Sequence, residues 1–222
     1  MSVKGLIFDM DGTLIDTETI SIEAWLAAGK KYDVPIDNSF ILRIIGTPRS
    51  EIRQLYYDAF GTRIPFEEFY RYRLDYVMRH REQHPIPLKP GTIEILTFAR
   101  ENKIPCAIAT STTSESAHKN LNSTGLLPYF DAVICGDMID KGKPEPDIFI
   151  SAAKAIGLSA EECAVIEDSK NGIIGARASG ALTFLVPDVV MPDENMKKSA
   201  DYIAESLNEV TDILKTLIIG RN

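Results

Sequence analysis

Apolar positions along the chain keep two different rhythms. Near the start, Gly5-Leu6-Ile7-Phe8 is a short unbroken apolar run that reads as a buried strand over 3–8. It stops at Asp9-Met10-Asp11-Gly12, where a glycine lets the backbone turn sharply. From 17 onward the spacing becomes helical. Residues 17–32 place Ile20, Ile22, Trp25, Leu26 and Ala28 among polar positions, and Pro35 is expected to end that helix. Residues 38–45 and 48–60 predict two more helices. The second opens at Pro48 and carries Ile52, Leu55, Tyr56 and Ala59 on one stripe. Residues 66–81 continue the pattern, with Tyr70, Tyr72, Arg73 and Tyr76 among their polar positions. Strand signals are nearly absent between 16 and 84.

The proline-rich piece from His84 to Gly91 breaks this pattern and reads as a linker into a second region. Beyond it, helix and strand alternate. Helices are expected over 91–102, 113–124, 146–157 and 171–179. Each precedes an apolar run, at 104–109, 132–135, 164–166 and 182–186 in turn. Tyr202-Ile203 reads as an edge strand before a last helix over 206–218. Alternation of this kind predicts an α/β fold, a parallel sheet with helices on both faces. The strand at 3–8 belongs to that sheet, so the helical block is an insertion after strand one.

Composition narrows the function classes. The chain has 222 residues, 45% hydrophobic and 25% charged, as in a soluble globular protein. A net charge of −8 argues against nucleic acid or an anionic membrane as partner, and it requires local cations wherever a phosphorylated ligand binds. That acidity also favours reading Tyr70, Tyr72, Arg73 and Tyr76 as a packed helix face rather than a nucleic-acid stripe. Cys106, Cys135 and Cys163 lie in apolar runs without paired spacing, which reads as reduced core thiols and a cytoplasmic setting. The opening apolar run is too short for a signal peptide, and no segment has the length of a membrane span.

Polar residues then fall where the expected strands end, which is where open parallel sheets build their sites. Asp9 and Asp11, two apart in extended chain, project to one side, and like charges so placed call for a cation or a shared proton. Asp-Gly is equally common in a plain turn. Thr110-Ser111-Thr112-Thr113-Ser114-Glu115 suits an anion bound by hydroxyls and backbone N–H groups; it also suits a helix start, with Thr112 and Glu115 spaced as a capping box. Lys143 lies in a loop stiffened by Pro144 and Pro146, and Glu167-Asp168 follow another strand. The combination of carboxylates, hydroxyls and one ammonium fits Mg²⁺ and a phosphate better than any part does alone.

Asp9-Met-Asp-Gly-Thr-Leu, Thr110-Ser111, Lys143-Pro and Glu167-Asp168-Ser169, in that order, resemble the four motifs of the haloacid dehalogenase superfamily, and the insertion resembles the small helical cap of its β-phosphoglucomutase-like branch. The resemblance spans essentially the whole chain. It implies a Rossmann-like core over 1–15 and 89–222, a helical cap domain over 16–88, and one Mg²⁺. It further implies Asp9 as the nucleophile that becomes an aspartyl phosphate and Asp11 as the acid and base. Thr110 and Ser111 would bind the phosphoryl group and Lys143 would neutralise charge. The metal would be held by Asp9, Asp11 through its carbonyl, and Asp168, with Glu167 in support.

Asp11 separates this chain from the dehalogenases of that superfamily, which lack a second aspartate because halide needs no proton. Mutases of the branch carry a histidine and a cap lysine where this sequence has Ser21 and Ile45; Arg49 is kept, in a position to hold a second phosphate. The departures favour a phosphatase acting on a small phosphorylated metabolite such as a sugar phosphate, with a sugar phosphomutase as the alternative; a monomer is expected, since one with a closing cap is self-sufficient. A phospho-accepting signalling domain fits less well, because it would have no insertion. A calcium loop is disfavoured because a strand precedes the aspartates, and a dinucleotide fold because no Gly-x-Gly-x-x-Gly follows strand one.

Overall fold

The computed structural model describes residues 3–45, 47 and 49–218. In chain order the elements are β1 (Gly5–Phe8), α1 (Glu18–Tyr32), α2 (Asn38–Ile44), α3 (Arg49–Phe60), α4 (Phe66–Gln83), α5 (Thr92–Glu101), β2 (Cys106–Thr110) and α6 (Ser114–Ser123), followed by β3 (Ala132–Cys135), α7 (Asp147–Ala155), β4 (Cys163–Glu167), α8 (Lys170–Ala178), β5 (Leu182–Leu185), α9 (Glu194–Ser199), β6 (Tyr202–Ile203) and α10 (Leu207–Ile218). They separate into two compact units, Met1–Asp16 with Ile86–Asn222, and Thr17–Pro85.

The first unit is built on a parallel sheet ordered β3-β2-β1-β4-β5-β6. β1 is central and all four of its residues are buried, as a strand covered on both faces requires. Side chains alternate across it. Leu6 and Phe8 join Ile108, Ile166 and Phe184 in a core closed by α5, α6 and α10. Ile7 joins Ala107, Ala109 and Val165 on the other face, against Ile148, Phe149, Ala152 and Ala153 of α7. Alanines on both sides of that contact let the helix approach the strands closely. Burial of each large side chain such as Phe8 stabilises the unit by roughly 1.5–3 kcal/mol. Register does the rest: Phe8 stands opposite both Ile108 and Ile166, so β1, β2 and β4 finish at one rim.

The second unit is four helices around an aromatic centre of Trp25, Phe40, Tyr56, Phe66 and Phe69. Tyr56 meets the rings of Phe66 at 5.5 Å and Phe69 at 5.0 Å. Tyr70 and Arg73 pack inward rather than forming an open basic stripe: Tyr70 meets the Trp25 ring, and the Arg73 guanidinium lies over the rings of Trp25 and Tyr70.

Several boundaries differ from expectation. α1 ends at Tyr32, as the 17–32 spacing predicts, but Pro35 is not what ends it: Asp33 takes a left-handed conformation (φ 53°) and returns its N–H to Gly29. The unit boundary falls after Asp16 and after Pro85, not at 15 and 88. Residues 86–88 are tied into the sheet unit by the Asp16 N–H bond to the Pro87 carbonyl, the Lys89 N–H bond to the Leu14 carbonyl, and a bridge between Ile15 and Leu88. α9 was not expected at all. The three cysteines are free and buried, and burial pushes the Cys106 thiol up to about 12. Among the described residues no helix is long and apolar enough to cross a membrane.

Candidate active site

Asp9 is the first residue past β1, and its N–H still bonds to the Ile166 carbonyl, so the ladder with β4 fixes its backbone. The chain then coils tightly: Leu14 and Ile15 both donate to the Met10 carbonyl, and Gly12 donates to Ile15. Gly12 has φ +84° and faces Asp168 so closely that a Cβ there would stand 2.5 Å from its Oδ2. Thr13 Oγ1 donates to Asp168 Oδ1 at 2.8 Å. This turn therefore places Asp9, Asp11 and Asp168 around one backbone loop.

Lys143 reaches the same place from the loop after β3. Its Nζ donates to Asp9 Oδ1 at 2.5 Å and to Glu167 Oε1 at 2.6 Å, and its side chain is only 5% exposed. Glu167, wholly buried, spends its other oxygen on the Ser169 N–H and hydroxyl. It lies directly over α8, where a Cβ on Gly172 would stand 1.7 Å from its Oε1. Thr110 ends β2 and Asp11 lies across from it. The Thr110 hydroxyl is 3.5 Å from Asp11 Oδ2, and the Thr112 hydroxyl donates to that same oxygen at 2.7 Å.

Two of the three buried or half-buried carboxylates here, Asp9 and Glu167, share one ammonium, while Asp168 is held by the Thr13 hydroxyl. The electrostatics reflect the excess of negative charge. Burial pushes the Asp9 carboxyl up to about 7, with Glu167 and Asp11 adding to the shift and Lys143 opposing it. Burial, then Glu167 and Asp9, hold Asp168 well above the usual carboxylate range. Burial disfavours the charged form of Lys143, but Asp9 and Glu167 outweigh it and keep the ammonium above its ordinary value. A hard divalent cation would offset the excess negative charge. Among the described residues no three His, Cys, Asp or Glu side chains are grouped to bind a metal by themselves. The donor set fits Mg²⁺, which takes one or two carboxylates and completes its shell with carbonyl, water and substrate oxygens.

The expected site residues separate into two groups. Asp9, Asp11, Thr110, Lys143, Glu167 and Asp168 gather at one rim of the sheet, and Ser111 continues from Thr110 with its side chain exposed. Arg49 lies in the helical unit, where it pairs with Glu67 at 2.5 Å and sits over the Tyr70 ring. Ser21, also in that unit, accepts a 2.6 Å bond from Arg73 and lines a cavity of about 110 Å³ together with Trp25, Tyr70 and Arg73. Two residues of the rim were given no site role in the sequence reading. Thr13 holds Asp168; its only signal was its place two positions after Asp11. Thr112 holds Asp11 and is not the helix cap that its spacing from Glu115 predicts: the N-cap of α6 is Thr113, whose side chain makes no capping bond.

Comparison with known proteins places this geometry. The family of haloacid dehalogenase-like hydrolases matches residues 6–186. A phosphorylated carbohydrates phosphatase of Thermotoga maritima is 32% identical over 178 residues, which is 80% of this chain and 82% of that protein. The β-phosphoglucomutase of Bacillus subtilis is 29% identical over 216 residues, 93% of this chain and 95% of its own. Among solved structures, a Thermotoga maritima protein provisionally described as a β-phosphoglucomutase superposes with a TM-score of 0.82 at 28% identity, covering 98% of this chain and 100% of that one.

Proposed function

The chain belongs to the haloacid dehalogenase-like hydrolases and is a phosphoric monoester hydrolase or phosphomutase; from that premise we propose that it is a Mg²⁺-dependent phosphatase of small phosphorylated metabolites, sugar phosphates foremost. The observation that carries the reading is the contact of Lys143 with Asp9 at 2.5 Å, beside Asp168 and Glu167. A carboxylate is a weak nucleophile, and it attacks phosphorus only where the charge of both partners is screened. Lys143 supplies that screening from within the chain. Asp9, the Asp11 carbonyl and Asp168, with Glu167 behind them, would hold Mg²⁺, which would supply Lewis-acid stabilisation of charge on the phosphoryl oxygens.

In the first step Asp9 forms a bond to phosphorus as the ester P–O bond breaks, and Asp11 delivers its carboxyl proton to the departing alkoxide. In the second, Asp11 takes a proton from water as that water attacks phosphorus and Asp9 is released. Thr110 and Ser111 bind the transferring group. The 17–85 unit is proposed as the cap that sets substrate choice. A mutase is the second reading, favoured by the likeness to the Bacillus subtilis enzyme; Ser21 and Ile45, in place of the histidine and lysine of such enzymes, weigh towards water as acceptor.

The test is a screen of phosphorylated metabolites with Mg²⁺, including hexose 1-phosphates with a bisphosphate activator. Release of inorganic phosphate is expected, abolished in Asp9→Ala and reduced by roughly 10²–10⁴ in Asp11→Asn. Isomerised sugar phosphate in place of inorganic phosphate would establish the mutase. Turnover that survives a chelator, or mild and equal losses in both variants, would remove the assignment of these roles.

A further inference from the structure

Thr112 sits where a helix begins, yet none of its polar groups serves that helix. The exposed N–H at the start of α6 is met from elsewhere: Asp137, in the short turn after β3, accepts from the Ser114 N–H at 2.9 Å and from its hydroxyl at 2.7 Å. Thr112 is thereby released from capping, and it is fixed on three counts. Its N–H donates to Thr110 Oγ1 at 3.1 Å, its carbonyl accepts from the Gly136 N–H at 3.1 Å, and its hydroxyl donates to Asp11 Oδ2 at 2.7 Å. The turn that carries Gly136 is pressed against this segment; a Cβ there would stand 2.4 Å from the Ser111 carbonyl.

We propose that Thr112 is a positioning residue for the acid–base carboxyl of Asp11, an inference that rests on the phosphatase reading above. A hydroxyl that donates to Oδ2 leaves the acidic proton of Asp11 on Oδ1 and fixes the rotation of the carboxyl. Thr110 accepts from the Thr112 N–H and so fixes the backbone that carries the Thr112 hydroxyl; its own hydroxyl, 3.5 Å from Oδ2, stands too far away to hold the carboxyl. Proton delivery depends on such geometry, since an acid must lie within hydrogen-bond reach of the leaving oxygen. Thr112 touches neither the ester nor the phosphoryl group in this scheme. It acts through Asp11 alone.

That limited role gives a readout that a merely structural residue would not move. Alkyl phosphates need a proton on the leaving oxygen and 4-nitrophenyl phosphate needs almost none. Thr112→Val is therefore expected to lower kcat about 10–100-fold on the best sugar phosphate of the wild-type enzyme and less than about threefold on 4-nitrophenyl phosphate, with KM little changed. Thr112→Ser, which keeps the hydroxyl, is expected to restore the alkyl rate to within about threefold. Thr112→Ala serves the same comparison should the valine fail to fold. Equal losses on both leaving groups, no loss on either, or failure of the serine variant to recover would overturn the proposal. Wild-type protein inactive on every phosphate ester would instead remove the phosphatase reading on which it rests.

Discussion

Replacing Lys143 with methionine leaves Asp9, Glu167 and Asp168 facing one another without the ammonium that now joins two of them. Breaking a buried pair from one side costs about 3–5 kcal/mol, because the remaining charge stays out of water. Lys143→Met is therefore expected to lower the urea midpoint sharply in chelator, and to regain part of the loss on adding Mg²⁺. A loss of the same size with and without Mg²⁺ would show that the metal does not share this cluster. Asp201 offers the opposite case, away from the site. Burial alone would raise its carboxyl, but the Thr183 N–H and hydroxyl and the Arg177 guanidinium outweigh burial and hold it below the ordinary value. A depressed folded-state value means stability that is present above the unfolded carboxylate value, about 3.9, and is lost as pH falls through the folded one. Asp201→Asn is expected to cost about 1–2 kcal/mol in urea melts at pH 7 and clearly less at pH 3. The rim residues were legible in the sequence as types at strand ends. Thr112 was misread because its spacing to Glu115 satisfies the capping pattern, while the true partner of the helix start, Asp137, comes from a distant turn.

At the level of elements, two strands were read to the residue and the other four missed by one or two residues at an end. The expected 132–135 and 202–203 are observed unchanged as β3 and β6, since short apolar runs bounded by polar residues leave little room for error. Helices were found by their stripes but misjudged at their ends. α4 continues to Gln83 through polar residues that carry no periodic signal, and α9, six residues with only Met196 buried, is too short to show a period. Its one local mark is Asp193, which caps the N–H groups of Asn195 and Met196. Packing between elements was invisible in advance. α8 passes so close to Glu167 that Gly172 has no space for a methyl group. Gly172→Ala improves helix propensity by up to about 1 kcal/mol, yet overlap with a buried carboxylate is expected to dominate. Thermal melts should show a net loss of stability, with turnover falling as Lys143 loses its second partner; a stabilised and active variant would mean that Glu167 readily moves aside.

At the scale of the molecule, the sequence separated a sheet region from a helical insertion by rhythm alone. The divide falls one residue later at the first crossing and three earlier at the second, because residues 86–88 look like linker and yet lie with the sheet unit, the Pro87 carbonyl accepting from Asp16 and Leu88 bridging Ile15. That small paired crossing has a consequence of its own. The outgoing and returning segments leave the sheet unit side by side, already stapled together at 14–16 and 87–89, and an insertion with adjacent ends perturbs its host little. A chain in which 17–85 gives way to a short Gly-Ser loop is expected to keep the far-ultraviolet signature of an α/β fold and a cooperative melt. The helical bundle then behaves as an exchangeable cassette. Under the cap reading proposed above, grafting a different bundle onto the same two stapled ends is expected to change the substrate range while leaving the sheet unit folded.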